Sequence, residues 1–194
     1  MLHLEFLDLP QEIRLQVYSY LLVVPAFGTP QFPGCHETPI YPQILAVCRV
    51  IHDEAKHLLY SRNTFIAHPT ALSCRPRLRL YYDPISRPDL RLLIRSYYIC
   101  LRLDCPPPYS AAKVQEAFTG VHRLTIDVIR PPRNDPHYEV LGLFEGVRGV
   151  NRPMVIGNVA RFPEYAKWLQ KSMSTPIGVD VKSFKWPEER NSAP

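Results

Sequence analysis

Two stretches with a two-residue period constrain this chain more than anything else in it. Tyr97, Ile99, Leu101 and Leu103 alternate with Tyr98, Cys100, Arg102 and Asp104, and Leu124, Ile126 and Val128 alternate with Arg123, Thr125 and Asp127. Successive side chains of a strand point to opposite faces, so each stretch predicts a strand with one buried face. A third apolar run, Met154 to Val159, follows Pro153. Between and after these runs lie segments with helical spacing: Ala111 to Phe118, Tyr138 to Val147, and Pro163 to Met173 with Tyr165, Trp168, Leu169 and Met173 on neighbouring turns. Parallel strands need a crossover element between them, and alternation of strand and helix supplies one, so a parallel sheet is expected.

The N-terminal third reads differently. Residues 9 to 22 predict an amphipathic helix: Pro10 suits the first turn, Glu12 complements the positive helix end, and Ile13, Val17 and Leu21 recur every four residues before Pro25 stops the pattern. Five prolines and two glycines between residues 23 and 42 predict a long loop. From Gln43 to Tyr60 the apolar residues Ile44, Val47, Cys48, Ile51, Ala55, Leu58 and Leu59 fall at the 3 and 4 spacing of one buried helical face. Ser61, Arg62 and Asn63 should end that helix, and residues 64 to 67 should be extended.

With 46% hydrophobic and 21% charged residues the chain has globular composition. Its longest apolar stretch, Val17 to Phe27, is interrupted by Ser19 and Pro25 and is shorter than the roughly 20 residues a membrane span requires. The opening MLHLEFLDLPQEIR lacks the basic segment and apolar core of a secretory signal. A cytoplasmic or nuclear protein is therefore expected, with its 5 cysteines reduced, since their odd number argues against a disulfide framework.

The formal charge of +5 is concentrated in residues 75 to 103, where arginines 75, 77, 79, 87, 91, 95 and 102 face only Asp83 and Asp89. Arg77 and Arg79 would share one face of a strand, and Arg87, Arg91 and Arg95 would align if residues 88 to 95 were helical. Tyr81, Tyr82, Tyr97 and Tyr98 lie nearby, and arginine mixed with tyrosine suits RNA stacking and protein hot spots alike. A solvated face paired with carboxylates is the plainer alternative.

No chemistry-bearing motif competes with that face. Gly142, Gly146 and Gly149 begin inside a predicted helix rather than after a strand, which is the wrong place for a phosphate-cradling loop. His52 and His57 are five apart, about 140° around a helix, which is poor for chelation. Cys48 and His52 stand at helical spacing but without a second ligand pair, and Cys35-His36 lies in the proline-rich loop. No metal, no cofactor and no catalytic constellation are expected.

Residues 1 to 65 resemble the F-box-like domains of filamentous fungi, through LeuProGlnGluIleArg at 9 to 14, IleLeuAlaValCysArgValIle at 44 to 51, GluAla at 54 and 55, LeuLeuTyr at 58 to 60 and AsnThrPhe at 63 to 65. PheGluGlyValArgGlyVal at 144 to 150 and TyrAlaLysTrpLeu at 165 to 169 resemble regions downstream in such proteins. The resemblance implies a non-enzymatic adaptor that joins a Skp1-like subunit through Leu9, Pro10 and Ile13 and holds a protein substrate with the remainder, as the substrate receptor of an SCF-type ubiquitin ligase. The connection at 23 to 42 is longer than an F-box usually has, and its tryptophan-containing motif is missing. The separation of strand starts by about 25 and then about 32 residues, with Val121-x-x-Leu124-x-Ile126, is similar to leucine-rich repeats. The fold expected is thus α+β, an F-box-like helical module at 1–65 followed by a βα layered or leucine-rich-repeat-like region at 75–194. The alternative function is a nucleic-acid-binding protein using the arginine and tyrosine stretch.

Overall fold

The computed structural model describes residues 5–24, 39–129 and 139–186. Cys35, His36, Tyr138 and most of the predicted loop at 23–42 lie outside them. Among the described residues the chain is mixed α/β, with six helices and a five-stranded, mostly parallel sheet. In chain order these are α1 (Gln11–Leu22), α2 (Arg49–Arg62), β1 (Phe65–His68), β2 (Leu72–Arg77), α3 (Pro88–Arg91), β3 (Ser96–Arg102), α4 (Ala111–Phe118), β4 (Arg123–Ile129), α5 (Glu139–Gly142), β5 (Arg152–Gly157) and α6 (Pro163–Ser174). Short 3-10 turns at Phe6–Asp8 and Pro42–Ala46 precede α1 and α2.

The strand order β2-β1-β3-β4-β5 follows the chain apart from the hairpin partner β2, which runs antiparallel to β1. The β1-β3, β3-β4 and β4-β5 pairs are parallel, with Tyr97 opposite Leu124 and Leu124 opposite Pro153. Because the parallel strands never reverse their order, right-handed crossovers bring successive helices to the same side of the sheet. The alternation read from sequence gives that side its residues: Tyr97, Ile99 and Leu101 from β3 and Leu124, Ile126 and Val128 from β4 are all buried. Phe118 of α4 meets Tyr97 edge-on at 5.5 Å and stacks over Phe144 at 6.2 Å. Tyr165, Leu169 and Met173 of α6 complete the layer.

Both outer strands carry a proline. In β5, Arg152 N–H donates to His122 and Asn158 N–H donates to Val128, so amides 152, 154 and 156 face β4 while position 153 faces the free edge. Pro153 therefore removes an outward donor and costs the ladder nothing. At the other margin, the carbonyl of Pro76 in β2 is already taken by Ile85 N–H.

Three local expectations are corrected. The buried line of α1 is Tyr18 and Leu22, in register with Arg14, and Ile13 points outward at 43% exposure. Tyr18 wins the inner position because its ring is buried against Phe6, 5.8 Å away, while its hydroxyl reaches Glu54. The helix predicted over 43–60 is broken at Cys48, which is extended (φ −158°, ψ 169°) and caps α2, so Val47 falls outside the helical phase and is 64% exposed. Of the segment predicted over 138–147, Glu139–Gly142 is helical, and the chain then continues as tight turns in which Phe144, Glu145 and Val147 each bond back three residues.

The turn leading into β5 explains the Phe144–Val150 motif in structural terms. Gly149 has φ +69°, and its amide donates to Thr175 O while a Cβ there would stand 3.0 Å from Ile177. Arg148 donates to the carbonyls of Glu145 and Val147, and Tyr165 donates to Glu145 Oε1 at 2.6 Å.

The buried core is one contiguous cluster running from Tyr18 to Met173. It includes Tyr18, Leu22, Ile51, Ala55 and Leu59 of the N-terminal helices together with the sheet's helical side.

Candidate functional site

The resembling segments of the N-terminal module meet at one network. Arg14 lies on α1 and Glu54 on α2, and the guanidinium forks onto the carboxylate with Nε at 3.0 Å from Oε2 and Nη2 at 2.5 Å from Oε1. Tyr18 donates to the same Oε2 at 3.0 Å, and Arg14 Nη1 reaches back to the carbonyl of Leu9 at 2.5 Å and that of Leu7 at 3.2 Å. The backbone of residues 7 to 9 is therefore pinned by Arg14 while the side chains that flank it remain available. Leu9 is half-buried, Pro10 is exposed, and Leu7 is 42% exposed. Ile13 is exposed and stands off the buried line of α1.

The Arg14 hydrogen bonds hold the Glu54 carboxyl below its ordinary range, against the opposing effect of burial. A depressed folded-state value means stabilisation that is present above the unfolded value, 4.5, and lost as pH falls through the folded one. We expect Glu54→Gln to lower the urea midpoint at neutral pH, and the gap between variant and wild type to narrow as both are titrated below pH 4.5. A gap independent of pH would show that Glu54 does not act through its charge.

Asn63 closes the module. Its side chain is fully buried, accepts from Val24 N–H at 2.9 Å, and donates to Leu22 O at 2.7 Å and Leu59 O at 2.8 Å. It ties the end of α1 to the end of α2, directly before β1.

The arginine stretch does not assemble as its spacing suggested. Arg77 ends β2 and donates to Leu80 O at 3.0 Å, but Arg79 lies beyond the strand and is fully buried, so the two do not share an exposed face. The helix expected over 88–95 is only α3, Pro88–Arg91. Arg87 caps it and forms a two-pronged pair with Asp89 at 3.1 and 2.6 Å. Arg91 turns to the carbonyl of Cys74 at 2.9 Å. Arg95 stands alone of the five, exposed just before β3, and enters a different cavity with His57, Ser61, Arg62, Leu92, Leu93 and His122. Proline at 84 and 88 and the end of β2 break the run into pieces with separate directions, which overrides the simple i+4 alignment.

On the face of the sheet opposite the helices, Tyr98, Cys100 and Arg102 of β3 stand beside Thr125, Asp127 and Ile129 of β4. Tyr98 donates to Asp127 Oδ2 at 2.5 Å. Burial first, and the Asp127 hydrogen bond second, push the Tyr98 phenol up. Burial first, and Asp127 second, push up the Cys100 thiol, the reverse of what activates a nucleophilic cysteine. Cys100, Arg102 and Ile129 are exposed, giving this face a mixed polar and apolar character.

Among the described residues no group of three His, Cys, Asp or Glu side chains could hold a metal ion, and no helix is long and apolar enough to cross a membrane. His52 Nδ1 contacts the carbonyl of Leu45 at 3.0 Å. Comparison with protein-family models, with curated proteins and with solved structures gave no match.

Proposed function

We propose that this protein is a non-enzymatic interaction adaptor of the F-box type, in which the start of α1 meets a Skp1-like subunit and the βα region receives a protein substrate. The observation that carries the reading is the placement of Leu9, Pro10 and Ile13. Pro10 and Ile13 are exposed and Leu9 is half-buried where the chain enters α1, whose Arg14 is locked into the module by Glu54. Apolar side chains on a rigid backbone lose little entropy when a partner covers them, and that is what a constitutive docking point requires.

The βα region supports the second half of the reading. Parallel strands beginning at 65, 96, 123 and 152 stack in chain order, similar to a short leucine-rich-repeat coil, and leave one sheet face lined by Tyr98, Cys100, Arg102, Asp127 and Ile129. This reading places the protein in the cytosol or nucleus. The split of the arginine stretch gives the nucleic-acid alternative less support, because Arg87 and Arg91 already have partners and Arg79 is buried.

Capture of Skp1 tests the reading. Wild-type protein should retain it, and Leu9→Asp with Pro10→Ala should lose it while keeping the wild-type circular dichroism spectrum. Because Leu9 gives Arg14 its carbonyl rather than its side chain, the substitution leaves that hydrogen bond in place. Failure of the wild type to bind Skp1 would sink the ligase reading.

A further inference from the structure

We propose that the cavity between the end of α2 and the starts of β3 and β4 is a binding site for the phosphoryl group of a small phosphate ester or diphosphate. The cavity measures about 420 Å³ and is lined by His57, Ser61, Arg62, Leu92, Leu93, Arg95 and His122. Four of these side chains are basic and none is acidic. They come from three separate segments: His57, Ser61 and Arg62 from α2, Arg95 from the link into β3, and His122 from the residue before β4.

The backbone holds this arrangement firmly. The Arg95 carbonyl accepts from His122 N–H at 2.8 Å and from Arg123 N–H at 3.1 Å, which fixes the two basic segments side by side. Asn151 Nδ2 stands 3.3 Å from His122 Nδ1, which ties the imidazole to the chain entering β5. Among the described residues, neither Arg62 nor Arg95 enters any of the ion pairs, in contrast with Arg14, Arg87 and Arg102.

One feature opposes an anion here, and its size can be weighed. Arg62 lies in the last turn of α2, whose C-terminus carries about half a negative charge, and a cation at that place is partly explained by the helix alone. A single arginine would answer that half charge. Arg62 and Arg95 together exceed it by more than one unit before either histidine is counted, so the cavity keeps a net attraction for a compact oxyanion. Guanidinium forks match phosphate geometry with paired hydrogen bonds, and two of them lining one cavity suit a phosphomonoester or diphosphate better than a monovalent ion.

The volume and the apolar wall point to a small molecule as the carrier. Cavities of roughly 300 to 1,000 Å³ are the usual size for small ligands. Leu92, 84% exposed at the rim, and Leu93 beside it would contact the organic part of an ester rather than the phosphoryl group. This site lies on surface that the adaptor reading does not use, so either can fail without the other.

Calorimetric titration with inorganic pyrophosphate, at ionic strength matched with chloride, provides the test. Wild type should bind saturably, and Arg62→Glu with Arg95→Glu should weaken binding at least ten-fold, whereas Lys113→Glu on α4 should leave it unchanged. Both arginines are exposed, and an unchanged thermal midpoint in the absence of ligand confirms that the variant folds. A nucleoside diphosphate should bind more tightly than pyrophosphate, and Leu92→Ser should remove only that gain. Equal binding of the two would leave inorganic phosphates as the source. The proposal is overturned by absence of saturable pyrophosphate binding up to about 1 mM. Equal weakening by Lys113→Glu, or an oligonucleotide that binds through Arg62 and Arg95 ten-fold more tightly than pyrophosphate, would overturn it as well.

Discussion

Asn63→Ala should destabilise the protein by about 3 kcal/mol, because it strips partners from buried backbone groups on both N-terminal helices at once. Val24 N–H loses its acceptor, and the carbonyls of Leu22 and Leu59 lose a donor, in a place closed to solvent. Urea unfolding followed by circular dichroism measures the loss, and a change under about 1 kcal/mol would mean that water or a rearranged backbone replaces the amide. The same experiment addresses how the chain is divided. Both tryptophans, Trp168 and Trp186, lie far from Asn63 in sequence, in the C-terminal region. With one contiguous core from Tyr18 to Met173, tryptophan fluorescence and circular dichroism should report a single transition shifted together. A fluorescence midpoint that ignores Asn63→Ala would instead establish residues 1–65 as a separately folding unit.

Phe118→Ala should cost about 3 to 5 kcal/mol, the range for removing a fully buried aromatic ring. Phe118 has no exposed surface and joins two layers, meeting Tyr97 on the sheet and Phe144 after α5. Its removal leaves a void between three elements that cannot all move inward, so the upper part of the range is expected. Chemical unfolding at 25 °C reads the value. A cost below 2 kcal/mol would show that α4 collapses onto Tyr97 without strain.

The strands β3 and β4 and the helix α4 were readable in the sequence because burial there is one-sided. Every second residue of β3 and β4 is closed to solvent, and the chain had no other way to write that than as alternation. The helix α4 was expected over the same residues it occupies, where Ser110 accepts from the Lys113 amide and caps it. What misled was any side chain that is apolar for part of its length. The repeat of Ile13, Val17 and Leu21 took the inward face of α1, yet the ring of Tyr18 is buried and its hydroxyl is bonded inside, so that face was assigned one residue away. The break at Cys48 was invisible because a change of helical phase leaves local composition unchanged.

The candidate sites divide along the same line. Leu9, Pro10 and Ile13 sit in one short segment at the start of α1, where neighbours in sequence are neighbours in space. The arginines were judged by spacing along a run whose backbone changes direction at Pro84 and Pro88, and only Arg95 ended in a basic cluster. Its companions His57, Arg62 and His122 come from segments tens of residues away. Register between α2, β3 and β4 brings them together, and no periodicity within one segment records it.

Prolines at the two margins of the sheet limit how this molecule can be recognised. A visiting strand needs donors at alternate positions along an edge, and β5 offers Pro153, Val155 and Gly157. The first has no hydrogen to give, and the last has left the extended conformation at φ +84°. One amide, that of Val155, is too few to zip a foreign peptide onto the sheet. Whatever binds along this margin must be chosen by the chemistry of side chains, so selectivity in this protein is written in residues that substitution can change one at a time, without disturbing the backbone that holds them.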